Sequence, residues 1–294
     1  MERDLSNENM IHVKKDGIEY LQFRKLLEFE DLVNCFTLKT GNLNFRRKTS
    51  EELALQSIQK ICNVLDVNPN TIVRPNQKHT DCVEKVDSAS EDLGMREIDG
   101  LITNKKDINL LLTFADCTPI ILYDPVNKAI GNIHSGWRGT VQKIGKKATL
   151  KMIKEYGSKP EDIIACFGPA IGQCHFEVEE EVKNIFENEF GKFTKKYEII
   201  KKQSILKDGV QKYNINTNLI NRLELEELGL LPKNIIESGI CTVCNSDLIH
   251  SYRANKEKFG LNATIIGRQE RKKYDTRKVK QGWYNWSNCT IKLH

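Results

Sequence analysis

Three short segments of this 294-residue chain concentrate reactive side chains: Gln77-Lys78-His79, Ala115-Asp116-Cys117-Thr118-Pro119 and His134-Ser135-Gly136-Trp137-Arg138-Gly139. Two imidazoles and one thiolate make a three-ligand set suited to zinc, with a fourth position left for water or substrate. The spacing is long, 38 residues from His79 to Cys117 and 17 from Cys117 to His134, and it matches no compact metal motif. Other chemistry therefore stays open. Cys117 as nucleophile with His134 as base would cleave an amide or ester without a metal. A buried thiol can also be inert packing, and a strand-end histidine simply hydrogen-bonded. Asp116, beside Cys117, reads as a partner of a ligand histidine, as a general base, or as a plain turn carboxylate. Arg138, the nearest cation after His134, fits an anion site or a structural role with Trp137 at a helix start, although an arginine there opposes the helix dipole.

Two further features have the right residue types but weaker patterns. Cys241-Thr242-Val243-Cys244 has metal or redox spacing, yet no second Cys or His pair follows at finger distance, the nearest candidate being His250. It reads as packed structural thiols. His175, in Cys174-His175-Phe176, reads as a surface or helix-cap histidine.

The elements that must carry these groups follow from periodicity. Segment 11–23 predicts two strands around Asp16-Gly17, a hairpin signal. Ser50 caps a helix over 51–65, with apolar residues at helical spacing. Segments 108–114, 120–123 and 129–134 are apolar runs separated by turn residues, as in strands buried within a sheet. Helices are expected from Val141 to Gly157, over 177–190 and over 216–228, and further strands over 163–167, 235–241 and 263–266. The reactive residues thus fall at strand ends or in adjoining loops, where sheets present functional groups.

Composition sets the bounds. With 39% hydrophobic and 29% charged residues the chain suits one large α+β domain. No apolar run is long enough for a membrane helix and the first residues have no signal core, so no membrane partner and a cytoplasmic location are expected. Nine cysteines are too sparse for a disulfide framework. The net charge of +5 is matched by the segment from Arg268 to Lys280 alone, so nucleic acid is disfavoured as a partner. A tail with Trp283, Tyr284 and Trp286 could bind it only by stacking and phosphate contact. The expected organisation is a catalytic domain over 1–267 and a basic, aromatic tail over 268–294. Nothing in the sequence sets the oligomeric state.

The ordered motifs Asp99-Gly100-Leu101-Ile102-Thr103, Ala115 to Pro119, His134 to Gly139, Gly168-Pro169-Ala170-Ile171-Gly172, Glu177-Val178, Cys241-Thr242 and Ser251-Tyr252-Arg253 resemble the YfiH-like family across residues 36–267. That family carries the label multicopper polyphenol oxidase or laccase, and is also described as purine nucleoside phosphorylase and adenosine deaminase. The resemblance implies a mixed-sheet α/β/β/α layered sandwich related to toxin-type cysteine hydrolases. It implies a zinc site at His79, Cys117 and His134, with copper as the older assignment. It also implies purine nucleosides and phosphate as substrates: phosphorolysis of adenosine, inosine and methylthioadenosine, and deamination of adenosine. A zinc-activated water would serve deamination. Phosphorolysis needs an anion site, for which Arg138 is the candidate.

Three positions depart from the family pattern: Lys39 replaces an arginine, Asn216 an aspartate, and Gly260-Leu261-Asn262 a Thr-Gly-Arg. The copper-oxidase reading meets a further obstacle. An oxygen-reducing copper cluster needs many histidines, and this chain has six, at 12, 79, 134, 175, 250 and 294.

Overall fold

The computed structural model describes residues 3–46, 50–90, 93, 96–204, 206–207 and 209–269. The chain begins with the expected hairpin, β1 (Met10–Lys15) and β2 (Ile18–Phe23), joined through Asp16 and Gly17, both at positive φ. β3 (Leu32–Thr37) follows, then α1 (Glu51–Leu65), whose first turn is capped by Ser50 Oγ accepting from Leu53 N at 3.1 Å. Such a cap contributes about 1 kcal/mol. Next come β4 (Ile72–Val73), β5 (Val83–Lys85), β6 (Gly100–Thr103), β7 (Asn109–Phe114), β8 (Thr118–Asp124) and β9 (Ala129–Ser135). The helical segment after β9 is two helices, α2 (Trp137–Val141) and α3 (Ile144–Tyr156), because Lys143 between them has φ of 60°.

The second half contributes β10 (Ile164–Phe167), β11 (Glu177–Val178), α4 (Glu180–Thr194), β12 (Ile200–Lys202), β13 (Tyr213–Ile215), α5 (Thr217–Leu228), β14 (Ile235–Glu237), α6 (Tyr252–Asn255) and β15 (Asn262–Arg268). Glu177 and Val178 were expected to open a helix. They instead pair with Asn214 and Tyr213 in a small sheet ordered β11-β13-β12. The strand expected over 235–241 stops at Glu237.

Two six-stranded sheets, ordered β1-β2-β3-β15-β7-β4 and β14-β10-β8-β9-β6-β5, carry the fold. Alternation along their strands assigns each face. Leu110, Leu112, Phe36 and Ile266 of the first sheet meet Ile121, Tyr123, Ile130 and Leu101 of the second in the central core. The opposite residues, Leu111, Cys35 and Ile265, pack under Ile58, Ile61 and Cys62 of α1. On the outer face of the second sheet Ile120, Leu122 and Phe167 pack on Ile144, Ala148 and Met152 of α3 and Leu225 of α5. The order is thus helix, sheet, sheet, helix, the α/β/β/α sandwich. A satellite core under α4 holds Phe186, Phe190 and Phe193.

Arg268, counted in the basic run, is buried at the end of β15, bonded to Asp31 and to the carbonyls of Asn104 and Lys128. Residues 270–294, with the rest of that run, Trp283, Tyr284 and Trp286, lie outside the described residues.

Candidate metal centre and substrate cavity

The β8–β9 register sets Pro119 opposite His134, which puts Cys117, just before β8, on the same face as His134. His79 arrives from a loop after β4 with φ of 63°. That loop is tied down on both sides. Gln77 donates to the Thr113 carbonyl and accepts from Thr113 N and Oγ1. Asp99, just before β6, accepts from the backbone N–H groups of Lys78, His79 and Thr80 at 3.1, 3.0 and 2.7 Å.

Asp99 also accepts from His134 Nδ1 at 2.8 Å. One buried carboxylate therefore positions both histidines. Sequence spacing does not reveal this role, because the partners of Asp99 are 19 to 35 residues away and meet it only once β6 pairs with β9. Burial opposes its ionisation, but His134 and the Thr80 and Lys78 amides outweigh it and hold the carboxyl at about 2.

His79, Cys117 and His134 converge with their ligand atoms all within 4.8 Å of one another. Cys117 Sγ is 3.7 Å from His79 Nε2, and the two rings meet edge-on at 4.9 Å. Around a tetrahedral zinc ion, sulfur and nitrogen ligands lie about 3.5 Å apart, so the donor set and its spacing fit that metal. Burial would push the Cys117 thiol up, but His134 and His79 reverse the effect and favour the thiolate. For His134, burial disfavours the charged ring while Cys117 and Asp99 favour it, with a net upward shift. Gly136 makes the space: a Cβ there would lie 2.8 Å from His79 Cδ2 and 3.0 Å from Cys117 Sγ.

Asp116 lies beside this group with φ of 84°. Its carboxylate accepts from Thr242 Oγ1 at 2.5 Å and from Arg253 N at 2.6 Å, so it braces the loops 241–253 against the strand end. Arg138 is exposed on α2, with its guanidinium 4.3 Å from the Trp137 ring centroid. His79, Asp116, Cys117, His134, Trp137, Arg138 and Arg253 line one cavity of about 940 Å³, whose wall also includes Phe45, Tyr252, Phe259 and Lys78.

The departures from the family pattern have structural partners here. Lys39 Nζ donates to the Ser246 carbonyl, Asn216 caps α5 through Leu219 N, and buried Asn262 bonds His250 and Phe114. Lys39, Asn216 and Asn262 do not line the cavity, whereas Leu261, within the third departure, does. Of the other described histidines, His12 contacts Glu19, His250 contacts the Leu43 carbonyl, and His175 lies among thiols. Among the described residues no helix is long and apolar enough to cross a membrane.

Comparison with known proteins fits this picture. The profile of a family described as multi-copper polyphenol oxidoreductase laccase matches residues 34–269. The purine nucleoside phosphorylase YlmD of Bacillus subtilis is 28% identical over 258 residues, covering 82% of this chain and 90% of that protein. A purine nucleoside phosphorylase of Bacteroides thetaiotaomicron is 33% identical over 228 residues, covering 75% and 78%. Among solved structures, the hypothetical protein YfiH of Bacillus licheniformis has a TM-score of 0.78 at 27% identity, with 89% of this chain and 100% of that one covered. YlmD from Geobacillus stearothermophilus shares the fold, with a TM-score of 0.74 at 24% identity and 91% and 100% covered.

Proposed function

Because the chain belongs to the family described as multi-copper polyphenol oxidoreductase laccase, and its relatives in Bacillus subtilis and Bacteroides thetaiotaomicron bear the name purine nucleoside phosphorylase, we propose that it is a zinc-dependent enzyme of purine nucleosides. It would split adenosine, inosine or methylthioadenosine with inorganic phosphate into free base and a ribose 1-phosphate, and deaminate adenosine to inosine. The observation that carries this reading is the joint lining of one cavity by His79, Cys117 and His134, by aromatic side chains and by Arg138.

His79, Cys117 and His134 would hold the metal, which when bound supplies Lewis-acid polarisation of a substrate oxygen or a water. With its Nδ1–H given to Asp99, His134 keeps its Nε2 lone pair for that site. Tyr252 and Phe259 offer aromatic surface to a purine. The Arg138 guanidinium can take two phosphate oxygens at once and present a third to C1′ as the bond from C1′ to the purine breaks. Asp116 keeps the backbone of Arg253 and the side chain of Thr242 in place beside Cys117.

The experiment is product analysis by chromatography of adenosine with and without phosphate, using the full chain and His79→Ala. Adenine with ribose 1-phosphate, and inosine, are expected from the wild type and neither from the variant. Neither product from concentrated wild-type enzyme would reject the proposal. Elemental analysis decides between zinc and copper.

One geometric feature favours a second reading. Asp99, His134 and Cys117 form the carboxylate, imidazole and thiol sequence of a cysteine hydrolase. Full activity on an amide or ester after complete metal removal would select it.

A further inference from the structure

A second group of metal-type side chains comes together away from the cavity: Cys174, His175, Cys241 and Cys244, whose ligand atoms all lie within 4.8 Å of one another. None of the four lines the substrate cavity. His175 Nδ1 lies 3.2, 3.5 and 3.7 Å from the sulfurs of Cys174, Cys244 and Cys241, and the Cys174 and Cys244 sulfurs are 3.9 Å apart. A tetrahedral zinc ion with sulfur at about 2.3 Å and nitrogen at about 2.0 Å sets its ligands about 3.5 to 3.8 Å apart. The observed separations bracket that range, and the three cysteines are free thiols.

Backbone dipoles converge on one of the sulfurs. Cys241 Sγ receives backbone N–H groups from Gly172, at 3.3 Å, and from Val243 and Cys244. These dipoles offset the negative charge that three thiolates place around a divalent ion. Gly172 also provides clearance, since a Cβ there would lie 3.1 Å from Cys174 Sγ and 3.3 Å from Cys241 Cβ.

We propose that Cys174, His175, Cys241 and Cys244 bind a structural zinc ion that fastens the loop 168–176 to the loop 241–249. Four protein ligands close the coordination sphere, so the ion takes no substrate. Its place in the fold gives it a task. Thr242, between two of the ligands, holds Asp116, while Arg253 donates to the carbonyls of His175 at 2.8 Å and Glu177 at 3.1 Å. The ion would therefore brace the wall that carries Asp116 next to Cys117. This inference does not depend on the reaction catalysed.

The test is elemental analysis of the full chain purified without added metal. About two zinc ions per chain are expected in the wild type and about one in Cys117→Ala and in Cys244→Ser. Cobalt loaded into Cys117→Ala should give the visible bands of a tetrahedral thiolate site. Folding of Cys244→Ser need not be assumed, because the wild type gives an independent readout: maleimide labelling of Cys174, Cys241 and Cys244 should rise several-fold on adding a strong chelator. The proposal is overturned if Cys117→Ala retains no zinc, or if labelling of these three thiols is insensitive to chelation. An intact mass revealing a disulfide between Cys174 and either partner in the freshly purified chain would also overturn it.

Discussion

Asp99 Oδ1 lies 2.8 Å from His134 Nδ1, and both side chains are buried. The same carboxylate holds the His79 loop, so it sets the relative position of two histidines from segments that share no local motif. Asp99→Asn keeps the volume and removes the charge. Zinc affinity at the proposed site of His79, Cys117 and His134 is expected to fall about 10- to 100-fold, as for carboxylate partners of ligand histidines generally. Chelator competition measures this, and unchanged affinity would make Asp99 a purely structural group.

Gly136→Ala tests the clearance around the same site. A methyl group 2.8 Å from His79 Cδ2 forces the imidazole away from Cys117. Metal content and activity are expected to drop together, while urea denaturation of the metal-free chain shifts by less than about 1–3 kcal/mol, the usual cost of overpacking. A metal content equal to wild type would mean that the loop carrying His79 yields without consequence.

Arg138→Lys separates the two proposed reactions. Lysine keeps the charge but lacks the planar fork. The KM for phosphate in phosphorolysis is expected to rise strongly, with deamination and zinc content preserved. If Arg138 serves only to stack on Trp137, at 4.3 Å, both activities and the melting temperature decline together. Kinetics with phosphate varied, beside a melting curve, distinguish the outcomes.

His250 predicts a pH response. Burial, with Lys39 nearby, outweighs the bond to the Leu43 carbonyl and lowers its pKa from 6.5 to about 4. Between those values the unfolded chain binds a proton that the folded chain does not, so the contribution to stability is complete above about pH 6.5 and is lost as pH falls toward 4. Urea midpoints at pH 7 and pH 5 should therefore differ more for the wild type than for His250→Gln. An equal difference would place the protonation elsewhere.

Local chemistry made much of this protein legible. Asp16-Gly17 specified the first hairpin, Ser50 the start of α1, and the apolar runs either side of Asp116 the central strands. His79, Cys117 and His134 could be read as a set from their residue types, and the fold brings them together. What stayed hidden depends on pairing between distant segments. Cys174 and His175 reach the Cys241 pair across 66 to 70 residues, a separation no spacing rule covers. Glu177 and Val178 continue the apolar period of α4, yet edge pairing with β13 wins there. Arg268 looked like part of a solvated charge run, and the sheet takes it in because Asp31 and two carbonyls satisfy its guanidinium.

The place of β15 has a consequence for biosynthesis. This strand, at residues Asn262–Arg268, lies between β3 and β7 and hydrogen-bonds to both. A growing chain that has made β3 and β7 cannot join them directly, and the gap stays open until residue 268 has been synthesised, at about 5–20 residues per second. During that interval two exposed strand borders invite pairing with other chains. Nascent chains halted before Asn262 are expected to be cut by protease and bound by chaperones, and to acquire resistance once β15 emerges. Resistance at the earlier stop would mean that the half-sheets pair provisionally and reopen to admit the last strand.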